Sequence, residues 1–318
     1  MDRVSEIIES RKIRAEAVCK ERIDKFYTAH PELQEVRDEK RKLGNRLIME
    51  AISGGNPEKV REELKQIESK EKQMFKDLKI TESFFKPDYY CSNCEDTGFV
   101  NGVKCSCRKQ LEIYQNYDMS SIRKQIESQN FDKFDLNVFR KDRQQDECIS
   151  PYEAMKELHD LMKDEYVGYF SVDSPNLFFY GPTGVGKTYL INCIAKGVMD
   201  KGYTVLYQTA PKILSFLTEY SFMYHDEKLK HEDQYKLCFD CDLLIIDDLG
   251  TEFINEKLIS ELFELINVRL TNHKPTVISS NIKPEELEVI YNERIASRIA
   301  GEYQIFKIFG SDLRRRLY

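Results

Sequence analysis

Apolar and polar positions alternate on two different periods along this chain, and the change of period divides it. Over residues 1–82 the apolar residues recur at helical spacing within a background of Glu, Lys and Arg. Val4, Ile7 and Ile8 mark one stripe, and Leu64, Ile67, Met74 and Leu78 another. The segment Ser53–Lys59 reads "SGGNPEK", with Gly-Gly to stop one helix and Asn-Pro to begin the next, so a long helical hairpin is expected. Residues 83–108 lose this period and are rich in Cys and Gly. Residues 109–150 read as a linker, helical through "RKQLEIYQNY" and turn-like from 128 on.

From residue 151 short apolar runs alternate with helical segments. "NLFFYG", "TVLYQT", "LLIIDD", "PTVISSN" and "YQIFKIF" read as strands, the last as a core strand. Lys187–Lys201, Pro211–Tyr224, 256–272 and 284–299 read as the helices between them. Alternation of this kind implies crossover connections, hence a parallel sheet covered by helices on both faces. The unbroken apolarity of the strands agrees, because parallel strands are buried on both sides. The expected organisation is a helical partner-binding region (1–82), a cysteine knuckle (83–108), a linker (109–150) and an α/β core (151–318).

Composition narrows the class. With 318 residues, 41% hydrophobic and 32% charged, the chain suits a protein of about two domains. No apolar run reaches the roughly 18–20 residues of a membrane span, and "MDRVSEIIESRK" is a charged helix rather than a signal peptide, so a cytoplasmic location is expected. There, the nine cysteines serve as thiols or metal ligands rather than disulfides. A net charge of -7 argues against bulk electrostatic binding of nucleic acid, although "LRRRLY" is locally basic.

The first chemical motif is "GPTGVGKT": Gly181, Pro182, Thr183, Gly184, Val185, Gly186, Lys187 and Thr188. Lying between an expected strand and helix, it matches a phosphate loop, whose backbone N–H groups turn toward phosphate oxygens at the positive end of the helix. Lys187 would reach the β- and γ-phosphates, and Thr188 would ligate Mg²⁺. The paired carboxylates ending "LLIIDD" then acquire a purpose. In P-loop NTPases one carboxylate at the end of a neighbouring strand helps hold Mg²⁺, and another group orients the attacking water. Asp247 is assigned to the metal and Asp248 to the water, with Glu252 a rival for the latter role.

"CSNCEDTGFVNGVKCSC" supplies Cys91, Cys94, Cys105 and Cys107. A C-x₂-C pair followed by a second pair beyond a glycine-containing hairpin is the spacing of a structural zinc site, with an iron–sulfur cluster as the alternative. Cys238 and Cys241, with Cys19, Cys148 and Cys193, are expected to pack rather than ligate. No histidine has a ligand or triad partner at readable spacing.

Together, "YGPTGVGKTYL", "CDLLIIDDLGTE", "TVISSN" and "ERIASRI" resemble the AAA+ helicase-loader family of the DnaC and DnaI type, with IstB-like ATP-binding proteins as close relatives. The likeness covers residues 175 to 316, and "IESQNFDKFDLNVF" resembles the segment leading into that core. The resemblance implies a P-loop AAA+ fold and slow, assembly-dependent hydrolysis of ATP. It implies that Asn281 is the polar sensor of the lytic water and that Arg298 is an arginine finger acting on a neighbouring subunit, with Arg294 the alternative. Arg314 would contact nucleotide within its own subunit, an assignment blurred by Arg315 and Arg316. The C-terminus is short for an AAA+ lid but agrees with the reduced lid of loaders. The implied function is loading the hexameric replicative DNA helicase, gripped by the N-terminal region, with single-stranded DNA and ATP held by the core. An IstB-like transposition helper and a nucleotide-gated adaptor with negligible turnover are the alternatives. The implied cofactors are ATP, Mg²⁺ and Zn²⁺.

Overall fold

The computed structural model describes residues 3–53, 57–116, 120–145 and 147–316. The chain divides into two compact units, Met1–Cys105 and Ser106–Tyr318.

The first unit begins with three helices where the sequence suggested a hairpin. They are α1 (Arg3–Ala29), α2 (Pro31–Ser53) and α3 (Pro57–Asp77). The additional break falls at "AHP": Pro31 has no N–H to donate and opens α2 instead. Residues 54–56 of the Ser53–Lys59 segment lie outside the described residues. Helices α2 and α3 pack together, and Lys40 Nζ meets Glu71 Oε2 across them at 2.7 Å. Phe26, Phe75, Phe84 and Phe85 gather into an aromatic cluster with neighbouring centroids 5.1–6.4 Å apart, which ties α1 and α3 to the turn Glu82–Phe85. A small hairpin follows, β1 (Phe99–Val100) and β2 (Val103–Lys104), closed by Asn101 and Gly102. Both turn residues have positive φ (51° and 80°), as a two-residue type I′ turn requires.

The second unit opens with α4 (Ser106–Asn116), α5 (Ser120–Ser128) and α6 (Pro151–Asp160), the last continued by a π-helical stretch Leu161–Val167. Ser150 and Glu153 form a reciprocal capping box that fixes the start of α6. The α/β core then runs β3 (Asn176–Tyr180), α7 (Lys187–Asp200), β4 (Val205–Thr209), α8 (Ala210–Phe222), α9 (His225–Asp240), β5 (Leu243–Leu249), α10 (Glu256–Thr271), β6 (Thr276–Ser280), α11 (Leu287–Ile290), α12 (Glu293–Glu302) and β7 (Tyr303–Lys307). Its five strands are parallel in the order β4-β5-β6-β3-β7. Helix α7 packs on the sheet together with the π-helical stretch, while α8, α10 and α12 form a second packed group. Leu177, Phe178, Phe179, Leu243 to Ile246, Val277 and Ile278 are wholly buried between the layers, so the α/β expectation is met.

Three details differ from the sequence reading. Helix α9 was not anticipated, because "HDEKLKHEDQYKLCFD" has almost no apolar face. The helix expected over 284–299 is interrupted at Tyr291 and Asn292, where Asn292 caps α12 by accepting the Ile295 N–H at 2.9 Å. Strand β7, read as core, is the sheet edge: Gln304, Ile305 and Lys307 are exposed there.

The carboxyl end of α9 is closed by a buried arginine. Arg269, 0% exposed, donates to the carbonyls of Cys238, Phe239, Cys241 and Pro275 at 2.7–3.2 Å and to Thr276 Oγ1 at 3.0 Å. One fork-shaped side chain thus satisfies carbonyls that the helix end would leave orphaned. Cys238 and Cys241 are buried, as are Cys19 and Cys193; Cys148, expected to pack, is exposed.

Candidate functional site

The phosphate-loop motif lies between β3 and α7, at the carboxyl ends of the strands, where ligands of open α/β sheets bind. Gly184 is needed for a close approach: a Cβ there would lie 2.0 Å from Asp312 Oδ1, and its φ is +83°. Leu313 N–H donates to the Gly184 carbonyl at 3.0 Å, so the segment before Arg314 is seated on the loop. Val185 is buried, and Gly186 directly precedes α7.

Lys187 is 5% exposed, and its Nζ donates to the carbonyls of Gly181 and Pro182 at 2.7 and 2.9 Å and to Asn281 Oδ1 at 2.7 Å. Burial lowers its pKa, and the carboxylates of Asp248 and Asp247 work against that shift. Asn281, just past β6, is therefore in the same cluster as the phosphate loop. The Thr188 hydroxyl faces Asp247 Oδ1 at 3.5 Å.

Asp247 is 4% exposed at the end of β5, and donors surround it. Tyr207 of β4 donates to Oδ2 at 2.7 Å, the Asp248 N–H to Oδ1 at 3.1 Å, and the Ser279 hydroxyl of β6 also to Oδ1. This is how a buried carboxylate becomes tolerable: its charge is dispersed over fixed donors from both neighbouring strands. Asp248 sits in a bulge, since three steps along β5 from Ile246 to Leu249 match two along β6. Its φ is +57°, a left-handed conformation rare outside glycine, and its N–H also reaches Ser279 Oγ at 3.0 Å. Burial raises the Asp248 pKa, with the Asp247 charge adding to the shift and Lys187 and Arg314 opposing it.

Arg314 is exposed, its backbone N–H bonded to Asp312 Oδ1 at 3.0 Å, and its charge is felt by both Lys187 and Asp248. The side chains of Arg315 and Arg316 lie outside the described residues. Arg298 is exposed on α12, and among the described residues nothing ties it to this cluster. Arg294, on the same helix, stacks its guanidinium 3.8 Å from the Phe263 ring centroid. Glu252 is turned away from solvent, with both carboxylate oxygens taken by Gly250 N–H and the Tyr291 hydroxyl.

Beside the phosphate loop a cavity of about 430 Å³ is lined by Lys133, Phe134, Asp135, Asn137, Val138, Phe139, Gly186, Tyr189 and Leu313. The rings of Phe134 and Phe139 are parallel within 5°, and Tyr189 meets Phe134 edge-on with centroids 5.1 Å apart. Sequence reading missed this wall, as it missed Tyr207 and Ser279. The available signal for the last two was a polar atom in a strand otherwise apolar and buried.

A DnaA-type pattern runs through this region: residues 171–305 match the family model of the bacterial DnaA ATPase domain. Curated relatives that this region resembles include the chromosomal replication initiator protein DnaA of Campylobacter jejuni, 31% identical over 124 residues, which are 39% of this chain and 27% of that protein. DnaA of Acinetobacter baylyi is 32% identical over 126 residues, 39% of this chain and 26% of that protein. The chain thus spans about a quarter of the length of the curated relatives it matches. Similar solved structures include a DnaC helicase loader, with TM-score 0.48, 19% identity and coverage of 58% of this chain and 99% of that one. Another is DnaI, with TM-score 0.41, 21% identity and coverage of 57% and 95%.

In the cysteine stretch, the four sulfurs of Cys91, Cys94, Cys105 and Cys107 lie within 4.8 Å of one another. Cys91 and Cys105 Sγ are 3.8 Å apart, the edge of about 3.8 Å that a tetrahedron of 2.3 Å zinc–sulfur bonds would have. Asp96 braces the knuckle by accepting the N–H groups of Tyr90 and Cys91 at 2.8 and 3.0 Å. The donor set fits a four-coordinate structural metal with no position open for chemistry. No helix among the described residues is long and apolar enough to cross a membrane.

Proposed function

We propose that this chain is an ATP-switched loader of the replicative DNA helicase. The observation that carries the ATPase part is the convergence on one cluster of Lys187, Asn281, Thr188, Asp247 and Asp248, drawn from three separate segments. In this reading the Gly181–Thr188 loop binds the triphosphate and the aromatic cavity beside it takes the base. Thr188 and Asp247 would hold Mg²⁺, which would supply neutralisation of phosphate charge. Asp248 polarises the attacking water, Asn281 orients it, and Arg314 contacts nucleotide within the subunit. Arg298, exposed and with no ion pair among the described residues, reaches the γ-phosphate of a neighbouring copy; Arg294, engaged with Phe263, is less available. Hydrolysis then requires assembly and runs slowly, the behaviour of a timer rather than a motor.

The helicase partner and the cytoplasmic setting rest on the family resemblance of the core, with the helices of 1–82 and the zinc-holding knuckle of 83–108 forming the gripping module. Single-stranded DNA has more support than the sequence offered. Phe222, Tyr224 and Phe253 are exposed by 71%, 84% and 87%, and Lys257 Nζ stands 5.6 Å from the Phe222 ring centroid, a stacking-and-charge surface suited to unpaired bases.

Steady-state ATP turnover with and without single-stranded DNA tests the enzyme. Lys187→Ala is expected to abolish turnover, and Arg298→Ala to lower it at least a hundredfold with ATP affinity retained. A wild-type rate never above that of Lys187→Ala overturns the ATPase reading. Affinity capture from host lysate with ATP is expected to recover a hexameric helicase, and recovery of a transposase instead overturns the loader assignment.

A further inference from the structure

The interruption between α11 and α12 places a buried phenol at a joint. Tyr291 is 5% exposed, and its hydroxyl donates to Glu252 Oε1. The other oxygen, Oε2, accepts the Gly250 N–H at 2.9 Å, and the Glu252 residue is itself 9% exposed. The carboxylate left open as a rival base is therefore saturated by protein donors and withdrawn from water.

What this pair holds is the strand end that carries Asp248. Between Asp248 and Glu252 the backbone turns through two left-handed residues, Asp248 at φ +57° and Gly250 at φ +101°. For Asp248 that conformation costs about 1 kcal/mol and persists only where the surroundings over-determine it. One restraint comes from β6, whose Ser280 hydroxyl donates to the Leu249 carbonyl at 2.7 Å. Ile282 presses on the same turn, since a Cβ on Gly250 would lie 2.2 Å from Ile282 Cδ1. The second restraint is the Glu252–Tyr291 bond, which fastens the far side of the turn to the residue just before the α12 cap.

We propose that Glu252 and Tyr291 are positioning residues for hydrolysis: their buried hydrogen bond braces the turn behind Asp248 and so fixes its carboxylate against the attacking water. This rests on the ATPase reading above. A simple core contact would add stability without steering the reaction. A brace acting on one strained turn affects the chemical step and leaves nucleotide affinity alone.

Tyr291→Phe removes a single hydroxyl and keeps the ring. In the full-length chain, hydrogen exchange across residues 248–253 is expected to quicken at least fivefold, with β3 protection unchanged as the control for folding. The kcat for ATP is expected to fall about tenfold while the Kd for a non-hydrolysable ATP analogue stays within twofold. Glu252→Ala should do the same, because it removes both acceptor oxygens. The double variant should be no slower than the slower single one, as for two ends of one interaction. Unchanged exchange at 248–253, an unchanged kcat, or parallel losses of kcat and affinity would each overturn the proposal. If wild type is no faster than Lys187→Ala, the ATPase reading has failed, and the exchange measurement still decides whether Tyr291 braces the turn.

Discussion

Asp248 occupies a place where the fold works against it twice, through a left-handed backbone and a half-buried carboxylate beside Asp247. Its pKa lies above the ordinary carboxylate value, chiefly from burial. The native state therefore holds the proton more tightly than the unfolded chain does. Stability falls as pH rises from the ordinary carboxylate range through the raised native value. Asparagine has the same shape, tolerates positive φ and carries no charge. Asp248→Asn is thus expected to raise the melting midpoint by roughly 2–4 °C at pH 7 and by much less at pH 3, while ATP turnover falls at least a hundredfold. Thermal melts at the two pH values, set beside turnover, check both signs; a lower midpoint at pH 7 would contradict the argument. The donors that make Asp247 bearable could not be read from sequence. Tyr207 and Ser279 come from strands on either side of β5, and a hydrogen bond between residues 40 and 32 positions apart leaves no local period.

Elements were legible where pattern and packing agree. Strands β3, β5 and β6 are apolar because two layers cover them, and the turn after β3 is spelled by its glycines. Legibility failed where stability comes from a contact rather than a face. Helix α9 has no apolar stripe to announce it, and its carboxyl end is secured by Arg269 from α10. Replacing that arginine by methionine keeps the volume and abandons at least four carbonyls, so Arg269→Met is expected to cost about 3 kcal/mol. Denaturant titration followed by circular dichroism measures it, and a loss below about 1 kcal/mol would mean that water or a shifted helix end replaces the guanidinium. The split of the 284–299 helix was hidden for the same reason: Tyr291 is turned inward by Glu252, a residue 39 positions earlier.

At the scale of the whole molecule the chain carries two different kinds of candidate metal site. The cysteine stretch offers four sulfurs that one tetrahedral metal would fully occupy, whereas the proposed ATPase reading keeps Asp247 for a hydrated ion. Metal analysis is expected to give one zinc per chain, lost in Cys91→Ser. Stripping the metal with a chelator should loosen residues 90–107 in hydrogen exchange and leave ATP affinity within twofold. A chain that retains its zinc after Cys91→Ser would remove that residue from the ligand set.

The strand order has a consequence in time as well as space. Leu177 of β3 pairs with Val277 of β6 and with Gln304 of β7, so both flanks of the first core strand are supplied by its last two. During synthesis the phosphate loop emerges attached to a strand with no partner for about a hundred residues, roughly 5–20 s at ordinary elongation rates. The N-terminal unit is by then complete. A ribosome-bound chain that stops short of residue 276 would display its N-terminal helices while the phosphate-loop strand still lacks both neighbours, so the two ends of the chain become available to other molecules at different times.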